Sequence, residues 1–95
     1  MTDFDAAVAA RRPLPAGTAP LVKALWHDAT GDWEAAHTLA QDVESADGAW
    51  VHAYLHRTEG DISNAHYWYR RAGKPPATGA LEDERRAIVA ALLGE

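Results

Sequence analysis

Residues 24–41 read ALWHDATGDWEAAHTLAQ, and residues 53–70, which begin 29 positions later, read AYLHRTEGDISNAHYWYR. The two stretches align without a gap, and six of the 18 aligned pairs are identical: Ala24/Ala53, His27/His56, Gly31/Gly60, Asp32/Asp61, Ala36/Ala65 and His37/His66. Each copy predicts a helix, a Gly-Asp turn and a second helix, because glycine can adopt the left-handed conformation that ends a helix and aspartate caps the helix that follows. The repeat therefore predicts two helical hairpins that stack and bury faces neither could bury alone.

The sequence on either side of the repeat also favours helices. Thr2 gives a weak capping signal for a first helix, and the turn Ser45-Ala46-Asp47-Gly48 separates the two hairpins. We expect five segments: an N-terminal helix over 1–12, a linker over 13–20, hairpins over 20–45 and 48–73, and a C-terminal helix over 78–93. No segment alternates as a strand does, so we predict a single all-α domain over 1–95, in which the two hairpins lie between flanking helices.

Composition excludes several classes of function. The chain has no cysteine, which rules out disulfide scaffolds, thiolate zinc sites, iron–sulfur clusters and cysteine nucleophiles. Its net charge of −5 disfavours binding to nucleic acid or to an anionic membrane surface, and no apolar stretch is long enough to cross a bilayer. The first ten residues carry no basic side chain, unlike a secretory signal, so we expect a cytoplasmic protein.

The hairpin pattern over about residues 20–76 resembles the tetratricopeptide (TPR) repeat. The matching packing positions are His56, Gly60, Asp61, Ile62, Ala65, Tyr69, Ala72 and Pro75 in the second copy and Gly31, Asp32, Trp33 and Ala36 in the first. Lys23 and Ala40 depart from the family pattern, and the 29-residue offset is shorter than the roughly 34 residues of that family. The resemblance implies a module that binds a protein or peptide on a concave face formed by Leu21, Leu25, Asp28, Trp50, Tyr54 and Arg57.

Three of those residues are the partner-binding candidates. Trp50, Tyr54 and Arg57 belong to the residue types that contribute most to interface energy. Two hairpins are few for a solenoid that stands alone, so a homodimer that covers the open end is a further expectation.

A narrower resemblance covers residues 50–73, WVHAYLHRTEGDISNAHYWYRRAG. This stretch is similar to the motif W-x-H-x-x-x-H-R-x-E-x-D-x-x-N-x-x-Y-W-Y-x-R-x-G of a group of small uncharacterised bacterial and fungal proteins. The resemblance implies a site within this stretch and no particular chemistry.

The same stretch carries a cluster of polar side chains that could bind a ligand. His52, His56 and Glu59 follow at i, i+4 and i+7, which places them on one stripe of a helix. Two imidazoles and a carboxylate so spaced could bind a divalent metal such as Zn²⁺, and a hydrolytic version would use a metal-bound water with Glu59 or Asp61 as base. The full set of ligand-binding candidates is His52, His56, Arg57, Glu59, Asp61, Asn64, His66 and Arg70. Without a metal, the same groups could transfer protons.

A plainer interpretation of these residues stands beside the ligand site. His52 and His56 could be neutral core histidines that hydrogen-bond to Asn64 or to tyrosine hydroxyls, and Asp61 could be a helix cap. Helical periodicity puts both histidines opposite the apolar arc of Trp50 and Tyr54, so their helix would need neighbours on both sides. We assign no catalytic residue, and a protein-binding module without a cofactor is the leading hypothesis. A metal-binding or small-ligand-binding protein is the alternative.

Overall fold

The computed structural model describes residues 3–94, which form six helices and, over that range, no strand. The helices are α1 (Asp3–Ala9), α2 (Pro20–Ala29), α3 (Trp33–Gln41), α4 (Ala46–Thr58), α5 (Ile62–Ala72) and α6 (Leu81–Leu93). The prediction of an all-α chain is confirmed. The predicted cap at Thr2 lies outside the described residues.

The two Gly-Asp turns have the local geometry that the sequence predicts. Gly31 and Gly60 adopt positive φ angles of 96° and 84°, which a residue with a Cβ rarely adopts. The Asp32 carboxylate accepts a hydrogen bond from the Ala35 amide at 3.1 Å, and the Asp61 carboxylate caps α5 in the same way. Each turn is short, and α2 accordingly packs against α3 while α4 packs against α5.

The structure moves three helix boundaries. Helix α1 ends at Ala9, three residues before its expected end at residue 12. The Ser45 hydroxyl accepts a hydrogen bond from the Gly48 amide at 3.0 Å and so caps α4, which begins at Ala46. Residues 46–48, expected in a turn, therefore form the first turn of this helix. The last helix begins at Leu81, three residues later than expected, because Gly79 has a φ of 86° and Ala80 is extended.

Helix α4 lies at the centre of the fold. It packs against α2, α3, α5 and α6, and every residue over 51–56 is buried. Helix α6 packs on α2 and α4, where Ile88 and Val89 join the main core. Both faces of α4, the apolar face and the histidine face, therefore pack against other helices, as the sequence analysis required. No helix in the described chain is both long enough and apolar enough to cross a membrane.

Candidate functional site

The opposite sides of α4 carry two different sets of polar side chains. His52 and His56 contact aromatic rings of α3 and α5, whereas Trp50 and Arg57 contact α6. Trp50 and Arg57 lie about 20° apart around the helix axis and His52 and His56 about 40° apart, so each pair shares one stripe, and the two stripes are about 130° apart. The two sets are described in turn.

A third histidine joins the two that the sequence singles out. His37 of α3 lies with its ring centroid 4.6 Å from that of His52 and 5.3 Å from that of His56. One ring nitrogen from each of the three lies within 4.8 Å of the others. These three residues are called the histidine cluster. They join α3 to α4, the two helices at the boundary between the sequence copies.

Tryptophan rings cover the histidine cluster on two sides. Trp68 of α5 stacks on His52 with a centroid distance of 3.9 Å and an interplanar angle of 14°. Trp33 stacks on His37 at 4.7 Å and 16°, and its indole Nε1 donates a hydrogen bond to the Leu55 carbonyl oxygen at 2.8 Å. Packing from both sides restricts the rotation of the imidazoles.

Glu59 contacts the cluster through His56 alone. Its Oε1 lies 2.7 Å from His56 Nδ1, and because a carboxylate only accepts, Nδ1 carries the proton and Nε2 is left as the free nitrogen. Among the described residues, the predicted metal ligands His52, His56 and Glu59 do not form one group within 4.8 Å, although His56 contacts both of the others. His56, Glu59 and Asp61 form a separate group within 4.8 Å.

Burial keeps two of the imidazoles neutral. Burial, followed by the charges of His37 and His56, lowers the pKa of His52 to about 4. Burial and then the charge of His56 also lower the pKa of His37. A cavity of about 430 Å³ adjoins His52 and is bounded by Trp68, Arg71 and Gly48. The cluster therefore places the imidazoles of His37 and His52 beside His56, next to an open space.

Several predicted ligand-binding residues lie outside the histidine cluster. Asp61 and Asn64 belong to the cap of α5, where the Asn64 side-chain amide donates to the Asp61 carboxylate at 3.4 Å. His66 and Arg70 are exposed on α5. The expected hydrogen bond between a histidine and Asn64 is not formed in the described chain. Arg57 contacts α6 instead.

On the other side of α4, a buried carboxylate of α6 collects hydrogen bonds from α4 and α5. The side chain of Glu84 is 4% exposed. The Tyr69 hydroxyl lies 2.8 and 2.6 Å from its two oxygens, Arg57 Nη1 donates at 2.9 Å and Trp50 Nε1 donates at 3.3 Å. We call Trp50, Arg57 and Tyr69 the carboxylate receptor. Arg57 also donates to the Gly79 carbonyl oxygen just before α6.

The remaining residues of the expected concave face are covered. Tyr54 is 2% exposed and hydrogen-bonds to Asp28, and burial raises the pKa of its hydroxyl. Leu21 and Leu25 are also buried. Tyr54 is therefore not available to a partner in this structure, and Trp50 and Arg57 are half-buried because α6 packs on α4 and places Glu84 against both side chains.

Sequence analysis missed His37 and Glu84. The repeat held a signal for His37, since the second helix of one copy packs against the first helix of the next in a stacked array. His37 of the first copy therefore faces His56 of the second, whereas its counterpart His66 faces outward. For Glu84 no signal was present, because acidic residues in a first helical turn are ordinary.

Comparison with family models, curated proteins and solved structures gives no match for this chain. The geometry defines two candidate sites on α4. One is the carboxylate receptor, which holds an acidic side chain of a packed helix. The other is the histidine cluster, which presents three imidazoles.

Proposed function

We propose that this chain is a TPR-like protein-binding module, in which the face of α2 and α4 binds an amphipathic helix that carries a buried glutamate. In this proposal α2–α3 and α4–α5 are the two hairpins, and α6 is the resident occupant of the face. The repeat supports the hairpins. The packing of α6 on α2 and α4, the first helix of each pair, supports the occupied face.

The observation that carries the proposal is the set of donors around Glu84. A buried carboxylate is costly unless several donors compensate its lost hydration. Trp50, Arg57 and Tyr69 supply indole, guanidinium and hydroxyl donors from α4 and α5. These three groups form a site of fixed geometry that recognises a carboxylate on a neighbouring helix.

Apolar contacts complete the recognition of α6. Ile88 follows Glu84 at i+4, on the same side of the helix, and Val89 widens the buried face; the two residues are 0% and 4% exposed. An amphipathic helix that lays an apolar stripe into a groove is a common mode of peptide recognition. The partner in this proposal therefore presents a glutamate followed by branched apolar residues four and five positions later.

A partner helix has to compete with α6. A short tether gives an attached segment an effective concentration in the millimolar range. Only residues 73–80 connect α5 to α6, so the resident helix is a strong competitor. Weakening its anchor should open the face to a helix added in solution.

The experiment adds a fluorescein-labelled peptide of residues 78–95 to full-length protein and follows fluorescence anisotropy. We expect Glu84→Ala protein to bind the peptide about 10-fold or more tightly than wild type, since hydrogen bonds to a charged group contribute ~1.5–3 kcal/mol. Glu82→Ala is the matched control, because Glu82 lies on the same helix in an exposed pair with Arg86. It should bind as wild type does.

Two further measurements make the result specific. A peptide with Glu84→Ala should bind the Glu84→Ala protein more weakly than the wild-type peptide does. Adding Arg57→Ala to the protein should reduce the difference between the peptides, leaving only the donors of Trp50 and Tyr69. Folded Glu84→Ala protein that binds neither peptide, or binds both equally, would overturn the proposal.

A further inference from the structure

The histidine cluster has the composition and spacing of a metal site. His37 comes from α3 and His52 and His56 come from successive turns of α4, with one nitrogen of each within 4.8 Å of the others. We propose that this cluster binds one divalent transition-metal ion, with Zn²⁺ as the ion its donors suit, through one nitrogen of each of the three histidines. The site lies on the side of α4 opposite the carboxylate receptor and is independent of the proposed function.

The distances require only small side-chain movements. Zinc binds imidazole nitrogen at about 2.0–2.1 Å with tetrahedral angles, so ligand nitrogens around one ion lie roughly 3.4 Å apart. Rotations that move each nitrogen by about 1 Å bring the cluster to that spacing. Three histidines leave the fourth position of a tetrahedral ion for water or an added ligand.

The surroundings fix the imidazoles as they do in known metal sites. A ligating histidine usually donates its other ring N–H to a carboxylate, which orients the ring and strengthens the donor nitrogen. Glu59 accepts from Nδ1 of His56 at 2.7 Å and leaves Nε2 free. Stacking of Trp68 on His52 and of Trp33 on His37 holds the other two rings.

The cluster is also accessible. His52 and His56 are each 6% exposed, but His37 is only half-buried, and a cavity adjoins His52. An ion can therefore enter from the side of His37 without unfolding of α4. Imidazole donors suit Zn²⁺, Ni²⁺ and Cu²⁺ better than Ca²⁺ or Mg²⁺, which prefer oxygen.

The neighbouring group of His56, Glu59 and Asp61 is a weaker candidate. Glu59 and Asp61 are exposed, and each already has a structural partner: Glu59 contacts His56 Nδ1, and Asp61 caps α5. A metal on these oxygens would have to break the cap. The three imidazoles, in contrast, contact one another ring to ring, with centroid distances of 4.6, 5.3 and 4.8 Å.

Full-length protein titrated with Co²⁺ tests the proposal, because tetrahedral Co²⁺ has an intense visible absorption that Zn²⁺ then displaces. We expect one ion per chain. His37→Ala should lower the affinity by at least ~100-fold, more than the ~10–100-fold typical for loss of a residue that only orients a ligand. Glu59→Gln should fall in that smaller range.

The matched control is His66→Ala, which removes the residue equivalent to His37 in the other sequence copy and should leave the affinity unchanged. Asp61→Asn should also bind as wild type, since asparagine retains the helix cap. Far-ultraviolet circular dichroism of each variant without metal establishes that the variant is folded. We choose His37 for substitution because it is half-buried, whereas His52 and His56 are buried in the core.

Three outcomes would overturn the three-histidine assignment. Folded wild-type protein that binds neither Co²⁺ nor Zn²⁺ overturns the proposal, as does wild-type affinity in His37→Ala. Loss of binding in Asp61→Asn equal to the loss in His37→Ala would move the ion to the acidic group and overturn the three-histidine assignment. Peptide binding at the carboxylate receptor is measured separately, so failure of one proposal leaves the other standing.

Discussion

The Tyr69 hydroxyl of α5 lies 2.8 Å from one oxygen of Glu84 and 2.6 Å from the other. Tyr69 is 1% exposed, so this contact joins α6 to the helix pair α4–α5 in the interior of the protein. Arg57 approaches the same carboxylate from α4 at 2.9 Å. The attachment of α6 therefore combines apolar packing with a buried carboxylate that accepts hydrogen bonds from side chains of α4 and α5.

Glu84→Ala should strongly destabilise the fold. Removing one member of a buried ion pair leaves its partner without compensation and typically costs about 3–5 kcal/mol, and Arg57 and Tyr69 would both lose their acceptor. Glu82→Ala breaks an ion pair with Arg86 in which both side chains are more than half exposed, at 56% and 58%. Such a pair contributes roughly 0.3–0.5 kcal/mol. Urea unfolding of both variants measures the two costs, and equal costs would contradict the buried role of Glu84.

The protein should lose stability in alkali through Tyr54 and Tyr69. Burial raises the pKa of both hydroxyls above the ordinary 10.0, and the acceptors Asp28 and Glu84 raise them further. Unfolded chains ionise these groups near pH 10 and folded chains do so only at higher pH. Their contribution is thus complete below pH 10 and is lost as the pH rises toward the folded-state pKa.

Urea unfolding at a series of pH values between 8 and 11 tests this dependence. The free energy of unfolding should decrease above pH 10, with each tyrosine contributing at most about 1.4 kcal/mol per pH unit. Tyr69→Phe should show a shallower decrease than wild type, whatever its stability at neutral pH. An unchanged slope in that variant would show that Tyr69 ionises equally in the two states.

Gly48→Ala should destabilise the protein although it places a better helix former in α4. A Cβ at position 48 would fall on the carbonyl oxygen of Val43 and within 3.2 Å of its Cβ. On helix propensity alone, alanine would stabilise a helix by about 1 kcal/mol relative to glycine. Crowding against a backbone atom typically costs ~1–3 kcal/mol, so the net sign is destabilising. A higher thermal midpoint in Gly48→Ala would contradict the close approach of α4 to the α3–α4 connection.

Local features of this fold could be predicted from the sequence, whereas contacts between distant segments could not. Gly31-Asp32 and Gly60-Asp61 define their turns because the left-handed glycine and the capping carboxylate act within four residues. Ser45 also acts locally, as the cap of α4, but the glycine at position 48 suggested a turn. The structure gives another reason for this glycine, the close approach of Val43 to its backbone, which the sequence does not indicate.

The sites depend on pairings between helices, and the sequence constrained these only in part. His52 and His56 were found from their spacing on one helix. His37 was missed in favour of His66, although the two are equivalent by sequence, since only the packing of α3 on α4 distinguishes them. Trp50 and Arg57 were recognised as anchors by residue type, but their acceptor is 27 or more residues away on α6.

Two tryptophans give a prediction in which the same substitution has opposite consequences. Trp33 Nε1 donates to the Leu55 carbonyl oxygen at 2.8 Å, whereas the buried Nε1 of Trp26 has no hydrogen-bond partner among the residues the structure describes. A buried donor without an acceptor costs about 1–3 kcal/mol, and a formed hydrogen bond contributes about 0.5–1.5 kcal/mol. Replacement by phenylalanine removes the N–H group in both cases, together with a similar part of the ring.

Trp26→Phe should therefore leave the protein more stable than Trp33→Phe leaves it, by about 1.5–4.5 kcal/mol. The loss at Trp33 stays modest because the Leu55 oxygen keeps two donors, Thr58 Oγ1 at 2.7 Å and the Glu59 amide at 3.3 Å. Urea unfolding of both variants under one set of conditions gives the two free energies of unfolding, and the shared loss of ring area drops out of their difference. A larger cost for Trp26→Phe would mean that its indole N–H has an acceptor in solution, such as a bound water.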